Sequence, residues 1–447
     1  MFNFMYRKIS IGFASLLAVF QLQAQSVKTI TLKEAIDLGY TNSKQLMVSN
    51  AKVKEAQAKL AEAKDRALPD VGVSGTYLHI NTPNISMANS SSSNSGSGSG
   101  SDSPLAAFSS LHDIGLAQVT ASMPVFNGMK IRNTKIMNDY LQQAAQYDAQ
   151  TTKSQVAINT IKAVYQYYEL QQSRRTIEEN LKHEQQRVTE FKNLETQGLL
   201  ARNDRLKAEL QANNVELALT EVNNSVKVAE YNLTILLGLP DDTAIQLDTT
   251  SMFELAKLTT WEESLQSGLA NRTEIKSSDL QIKASESGYK IAKADRLPTV
   301  GISAGYVNAY IPNVLTVTNA VNGGVSLKYS ITGAIHAKHS MHEAKARFDQ
   351  ATAYNQMATD QVKLDVRQKF LKSQEMLDKL VINERAIEQA QENFQISQNK
   401  YKQGLLILSD YLDADVALLR TKIEYFTTRA ESMIAYYELQ ESMGTLQ

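Results

Sequence analysis

Residues 400–444 read KYKQGLLILSDYLDADVALLRTKIEYFTTRAESMIAYYELQESMG. Within them Leu412, Val416, Leu419, Ile423, Phe426, Ala430, Met433 and Tyr437 are spaced alternately four and three apart, the apolar seam along which one helix packs on another. The preceding stretch supplies a mate, because Leu380, Ile387, Phe394 and Tyr401 recur every seven residues. Gln403-Gly404-Leu405-Leu406 stands between the two runs. The pattern predicts a coiled-coil hairpin that comes in to Tyr401, turns at Gly404 and returns.

The same hairpin occurs earlier. Gln197-Gly198-Leu199-Leu200 matches Gln403 to Leu406, and Asp204, Leu206, Ala208, Tyr231 and Gly238 match Asp410, Leu412, Ala414, Tyr437 and Gly444, every pair 206 apart. This is a duplication. From Met129 to Leu237 there is no proline and Gly198 is the one glycine; from Ala334 to Met443 there is no proline and Gly404 is the one glycine. Since those two residue types are the usual helix breakers, each region is expected to form two long helices joined at its glycine. The longer arms, about 65 residues at 1.5 Å each, would reach roughly 100 Å.

Composition narrows the function classes. The 447 residues are 43% hydrophobic and 21% charged with a net charge of −1, which supplies no basic patch for nucleic acid. The absence of cysteine excludes disulfides, thiolate metal sites, a cysteine nucleophile and a cysteine-linked lipid. At the N-terminus Arg7 and Lys8 precede an apolar run from Ile9 to Phe20 and then Leu22-Gln23-Ala24. Its length of roughly 12 residues falls short of the ~20 that span a bilayer. Residues 1–24 therefore read as a secretory signal peptide, with the mature chain starting near Gln25.

The first repeat is expected at 25–239, a linker at 240–260 and the second repeat at 261–447. Thr31 with Glu34 is a capping box opening a helix to about Ala67, which Pro69 ends; Trp261 to Arg296, followed by Pro298, repeats it. Alternating runs then predict strands at about 70–80, 115–126, 300–309 and 323–331, oily on one face and small or polar on the other. Loops are expected at about 81–114, which includes the Ser/Gly-rich run 89–103, and at 310–322. Pro69 and Pro298 are 229 apart, so the 23 extra residues of the first repeat fall between its strands.

Four strands cannot close a membrane barrel, which needs about eight, and an open sheet edge is not tolerated in hydrocarbon. The chain is therefore expected to assemble, and three copies would supply twelve strands. The fold class is mainly α with membrane β: long coiled-coil hairpins plus four strands per chain, forming a trimeric twelve-stranded barrel continued by an α-helical barrel.

These residues resemble the TolC-type outer-membrane efflux channels. The resemblance rests on the duplicated halves, the helix-proline-strand junctions, Phe126-Asn127-Gly128, and a tip pattern of glycine, aspartate six on and alanine four beyond, present as Gly198, Asp204, Ala208 and as Gly404, Asp410, Ala414. It implies a homotrimer in the outer membrane of a Gram-negative bacterium, with its helical part in the periplasm. The channel would be docked on a periplasmic adaptor, or membrane fusion protein, and an inner-membrane pump, and would pass substrate without a reaction or a cofactor. By the same resemblance Gly198, Leu199, Leu200, Asp204, Gly404, Leu405, Leu406 and Asp410 contact the adaptor, each Asp being placed to cap its returning helix. Tyr401 and Glu392 fall where such channels close, although Tyr401 equally suits a core role on its seam.

His336, His339 and His342 form the one histidine cluster. Their spacing makes them weak metal candidates, with three copies around an axis gathering an ion, against a bland exposed row. No nucleophile turn or phosphate-cradling loop accompanies the scattered Ser, Asp and His, so no enzyme is expected. The alternative to a channel is a secreted coiled-coil adhesin or structural stalk without a pore.

Overall fold

The computed structural model describes residues 27–81, 113–241, 243–250, 252–253, 259–312 and 315–446. The expected signal peptide and the Ser/Gly-rich run lie outside the described residues. The chain divides into two units: one of residues 1–51, 148–275 and 358–447, the other of 52–147 and 276–357. In chain order the elements are β1 (Val27–Ile30), α1 (Leu32–Asn42), α2 (Lys44–Asp65), β2 (Asp70–His79), β3 (Asp113–Phe126), α3 (Lys130–Thr196) and α4 (Arg202–Leu237). There follow β4 (Ala244–Leu247), α5 (Trp261–Asn271), α6 (Thr273–Ala294), β5 (Thr299–Ile311), β6 (Leu315–Lys328), α7 (Ile331–Lys402) and α8 (Leu408–Ser442).

The first unit holds the helical hairpins. Ile177 and Leu181 of α3 pack with Val215 and Val222 of α4, and Leu419 and Ile423 of α8 close over the same cluster. On its other side α3 meets α8: Thr427 donates to the Glu169 carboxylate at 2.7 Å, and Lys162 pairs with Glu438. Helix α8 in turn meets α7, where Asn383 Nδ2 donates to Thr428 Oγ1 at 2.8 Å and Lys369 reaches Glu438 at 2.7 Å. Helix α3 thus packs on both α4 and α8; α4 and α8 also share a core cluster, and α7 lies against α8 and, through Tyr401 and Phe191, against α3.

The duplication is visible in the packing. A Cβ on Gly39 would stand 2.7 Å from Thr160 Oγ1, and one on Gly268 would stand 2.8 Å from Val366 Cγ2. Left-handed Gly238 lies against Asn42, and left-handed Gly444 against Asn271. Each second set repeats the first at the sequence offsets. Close helix contact of this kind requires a residue without a side chain.

Three features of this unit were not expected. The helix read from Thr31 to Ala67 breaks at Ser43, which is extended and whose Oγ accepts from Leu46 N at 3.2 Å to start α2. Its repeat breaks at Arg272, whose guanidinium bonds Glu274, Asp365 and Glu441 at 3.0–3.3 Å. The linker at 240–260 contains β4, which pairs in parallel with β1; Tyr167 Oη donates to the Ile245 carbonyl at 2.9 Å and anchors it. The reciprocal capping box forms at Thr260 and Glu263, whereas Thr31 accepts from Glu34 N and the Glu34 carboxylate turns to Lys28 at 3.3 Å.

The second unit holds one four-stranded antiparallel sheet in the order β2-β3-β5-β6. Its register aligns Val73 with Val119, Val119 with Tyr306 and Tyr306 with Val321, one row across all four strands. Val71, Ala121, Ala304 and Gly323 form the next row on that face, while Gly72, Thr120, Gly305 and Asn322 form a row on the other. Alternation along each strand thus gives one sheet face that is apolar and one that is small or polar.

The loop expected at 310–322 is mostly strand, because β5 runs to Ile311 and β6 starts at Leu315. Asn319, which reads as loop, adopts φ +59 at a bulge and its N–H donates to Asn308 Oδ1 at 2.9 Å, so the ladder continues past it. At the other end β6 stops at Lys328 rather than 331, since Ser330 Oγ accepts from Gly333 N and opens α7. The connection between β2 and β3 covers residues 80–112, and that between β5 and β6 covers 312–314.

Candidate functional site at the helical tips

Gly198 and Gly404 both adopt φ +73, and neither has an atom within 4 Å of a notional Cβ. Their role is conformational: only the left-handed backbone, not space, demands glycine. Leu199 N donates to Leu194 O and Gly198 N to Glu195 O; Leu405 N donates to Lys400 O and Gly404 N to Tyr401 O, all at 2.9 Å. The two tips close by the same Schellman arrangement.

That turn sorts the leucines. Leu199 and Leu405 are each 71% exposed, whereas Leu200 and Leu406 turn inward onto a cluster with Phe191, Ala208, Leu408 and Tyr411. Ile407, not anticipated from the sequence, projects beside Leu405 at 66% exposure. The expectation that Asp204 and Asp410 are helix caps is corrected. The caps are Ala201 and Ile407, with no side-chain bond, and each Asp lies in the first turn behind them. There a carboxylate favours the positive end of the helix dipole instead of completing a cap.

Behind the tips the structure buries charge. Arg187 Nη1 donates to both oxygens of Glu184 at 3.0 and 3.1 Å, and its Nη2 donates to Asp415 Oδ2 at 2.5 Å and to Tyr411 Oη at 3.1 Å. Asn180 Nδ2 donates to Asp415 Oδ1 at 3.3 Å, and Gln398 Nε2 to Tyr411 Oη at 3.2 Å. Glu184 is fully buried and Arg187 and Asp415 nearly so. Two carboxylates thus share one guanidinium. Burial pushes the Glu184 carboxyl up to about 7, with Arg187 opposing and Asp415 adding to the rise. Burial also works against the Arg187 charge, but Glu184 and Asp415 outweigh it and hold its pKa above the ordinary value.

Tyr401 stacks on Tyr411, ring centroids 5.3 Å apart, and leans on Phe191 at 6.1 Å. Burial raises its pKa, with Asp204 adding to the effect. Glu392 is exposed on α7 and does not join this stack. A groove of about 730 Å³ runs between the aromatic stack, Leu199 and the Arg187 network. It separates an exposed apolar apex from a buried ionic tie between α3 and α8.

His336, His339 and His342 lie exposed along the start of α7, and among the described residues no three metal-binding side chains converge. The Arg187 network was missed because nothing local distinguishes Arg187 from other polar residues on its helix. Its partner Asp415 is remote in sequence, and only the 4-3 seam of α8 hinted that a charge so close to Leu412 would be buried.

Residues 264–445 match the family model described as outer membrane efflux protein. No curated protein matches the chain. Among solved structures, the outer membrane protein VceC from Vibrio cholerae is 19% identical with a TM-score of 0.76, covering 92% of this chain and 96% of its own. The CmeC outer membrane channel of Campylobacter jejuni is 14% identical with a TM-score of 0.77, covering 93% and 86%. The open state of the Neisseria gonorrhoeae MtrE outer membrane channel is 14% identical with a TM-score of 0.71, covering 93% and 89%. Two of these three are described as outer membrane channels and the third as an outer membrane protein. The chain therefore resembles outer membrane efflux proteins in the sequence of its second repeat, and it shares its fold with these outer membrane proteins.

Proposed function

We propose that this chain is one third of a homotrimeric outer-membrane channel of a tripartite efflux or secretion system in a Gram-negative bacterium. Its strands lie in the membrane, its hairpins lie in the periplasm, and Leu199, Leu405 and Ile407 meet a periplasmic adaptor fed by an inner-membrane pump. The observation that carries this reading is the row Val73, Val119, Tyr306, Val321. It puts apolar side chains on one face of every strand in register, with Val73 and Val321 each 81% exposed.

Such a face in water would be an aggregation hazard, and in lipid it is satisfied. The sheet's edges β2 and β6 have no second partner among the described residues. Backbone groups on a lipid-exposed edge must be paired, so edge joins edge between copies. Twelve strands then close as a barrel.

Extraction and mass test the reading. The protein is expected to leave the outer-membrane fraction only with detergent, to weigh three copies in its native state, and to conduct ions in a planar bilayer. A freely soluble monomer that conducts nothing would instead fit the coiled-coil stalk.

A further inference from the structure

Lysine and arginine stop sharply at the edge of the sheet. Neither occurs from Ala67 to Met129 or from Leu297 to Leu327, the stretches that hold the strands and both of their connections. Just outside, wherever a strand meets a helix, they return: Lys64 before β2, Arg132 and Lys135 after β3, Lys293 and Arg296 before β5, and Lys338 after β6. All belong to the second unit, and all six are exposed. Their neighbours Lys130, Lys290 and Arg66 are neutralised by Asp295 at 2.7 Å, Glu286 at 2.8 Å and Glu62 at 2.9 Å. Among the described residues the six have no such partner. The acids in these flanks that lack a cation are Asp65, Asp70 and Asp139, half as many. Lys328, at the foot of β6, pairs with Thr299 on the polar face and stands apart from the band.

The band sits beside apolar surface. Leu68, Met129 and Leu297 are exposed at the same junctions. On α7, Ile331, Ile335, Lys338 and His342 recur at helical spacing along one exposed face, and Lys338 follows Ile331 by roughly 10 Å of helix. An apolar margin backed by long cationic side chains suits a lipid interface, where hydrocarbon covers the margin and the charged heads reach the phosphates. An acidic protein would answer the charge alone. A lipid answers both, at the level where the apolar sheet face ends. The opposite end of the sheet has no counterpart, since its connections lack lysine and arginine and His79 there lies 2.7 Å from Asp113.

We propose that this band binds the phosphate groups of anionic glycerophospholipid in the leaflet nearer the helices, and that the sheet makes this contact at one end only. The proposal rests on the channel reading and adds a lipid partner to it. Attraction of this kind is worth most where several cations share one anionic surface.

Spin-labelled lipid tests it. The full-length protein is reconstituted in phosphatidylcholine vesicles with a trace of labelled phosphatidylglycerol or labelled phosphatidylcholine, and electron spin resonance gives the fraction of each label held at the protein. The phosphatidylglycerol label is expected to be favoured about five-fold, the effect of one cation near an anionic headgroup. Lys64→Gln, Arg132→Gln, Lys135→Gln, Lys293→Gln, Arg296→Gln and Lys338→Gln in one chain are expected to bring the two labels to parity. Lys182→Gln, Lys192→Gln and Lys227→Gln, on the hairpins, leave the preference intact. Salt at about 1 M, where the screening length falls to about 3 Å, is expected to abolish the preference in the wild type, which makes the outcome independent of how the variants fold.

Equal affinity for the two labels, a preference that survives the six substitutions or the salt, or the same loss in the hairpin variant would each overturn the proposal. So would displacement by inorganic phosphate beyond that by chloride of equal ionic strength, which would assign the band to the free anion. A protein that does not float with the vesicles would instead overturn the channel reading beneath it.

Discussion

Val73 and Val321 occupy the same row of the sheet from its two opposite edges, on β2 and β6, and each is 81% exposed. A closed barrel would bring these edges together between copies and turn both side chains to lipid. Val73→Lys or Val321→Lys is then expected to cost about 2–4 kcal/mol per copy and to deplete folded protein from the outer membrane. Gly72→Ser, on the polar face, leaves the yield unchanged. Membrane fractionation with heat-modifiable gel mobility reads the difference, and equal tolerance on both faces would refute the lipid assignment.

Apex and cluster leucines should part company. Leu199→Asp and Leu405→Asp alter exposed side chains, so the melting temperature holds while export falls, by roughly 30-fold if each is an interface hot spot worth about 2 kcal/mol. Leu200→Asp and Leu406→Asp insert a charge into the cluster of Phe191 and Tyr411 and lower the melting temperature instead. Dye accumulation in cells, paired with circular dichroism melts of purified protein, separates the two classes.

Folding raises the Glu184 carboxyl from 4.5 to about 7. The stability linked to that shift is complete below about pH 4.5 and is lost as pH climbs through about 7; the full shift corresponds to at most about 3 kcal/mol. The melting temperature of the wild type should therefore fall more steeply between pH 5 and pH 8 than that of Glu184→Gln, which keeps the side-chain shape and one acceptor oxygen for Arg187 without the titrating charge. Parallel pH profiles for the two proteins would remove Glu184 from the account.

Arg187→Ala leaves Glu184 and Asp415 buried without their cation, a change expected to cost about 3–5 kcal/mol at pH 8. Replacing all three by Met or Leu restores most of it, since the seam around them is already apolar. Chemical denaturation of the detergent-solubilised protein measures both. A mild single variant would mean that water reaches the network.

The helix before each strand pair carries a glycine where another helix crosses. Gly268→Ala would place a methyl 2.8 Å from Val366 Cγ2 and is expected to destabilise by about 1–3 kcal/mol. Val366→Ala in the same chain relieves the closer contact and leaves the 3.2 Å approach to the Ser442 carbonyl. Gly198→Ala meets no neighbour and shows only the smaller cost of a left-handed alanine, about 1–2 kcal/mol. Thermal melts of the three variants give the ranking.

The duplication was legible because Gly198 and Gly404, Asp204 and Asp410, and the following leucines keep one spacing, and a constant offset survives wherever both halves face the same demands. Hairpins, strands and the apolar sheet face follow from those periods. The break at Ser43 was not legible, since serine in a run of strong helix formers carries no local signal and its extended backbone is set by Asn42 packing on Gly238. Strand β6 was read only from 323 because Asn319 and Asn322 look like loop residues, yet Asn308 across the ladder makes Asn319 a bulge. At the tips the turn was readable and the inward swing of Leu200 and Leu406 was not, because it depends on Phe191 and Tyr411 arriving from other helices.

The unequal connections, residues 80–112 in one strand pair and 312–314 in the other, have a consequence for the cell's outer face. In a threefold ring long and short spans would alternate around the mouth, three of each. On the trimeric reading, the three connections of three residues each would leave an antibody or protease arriving from the medium little chain to hold between β5 and β6.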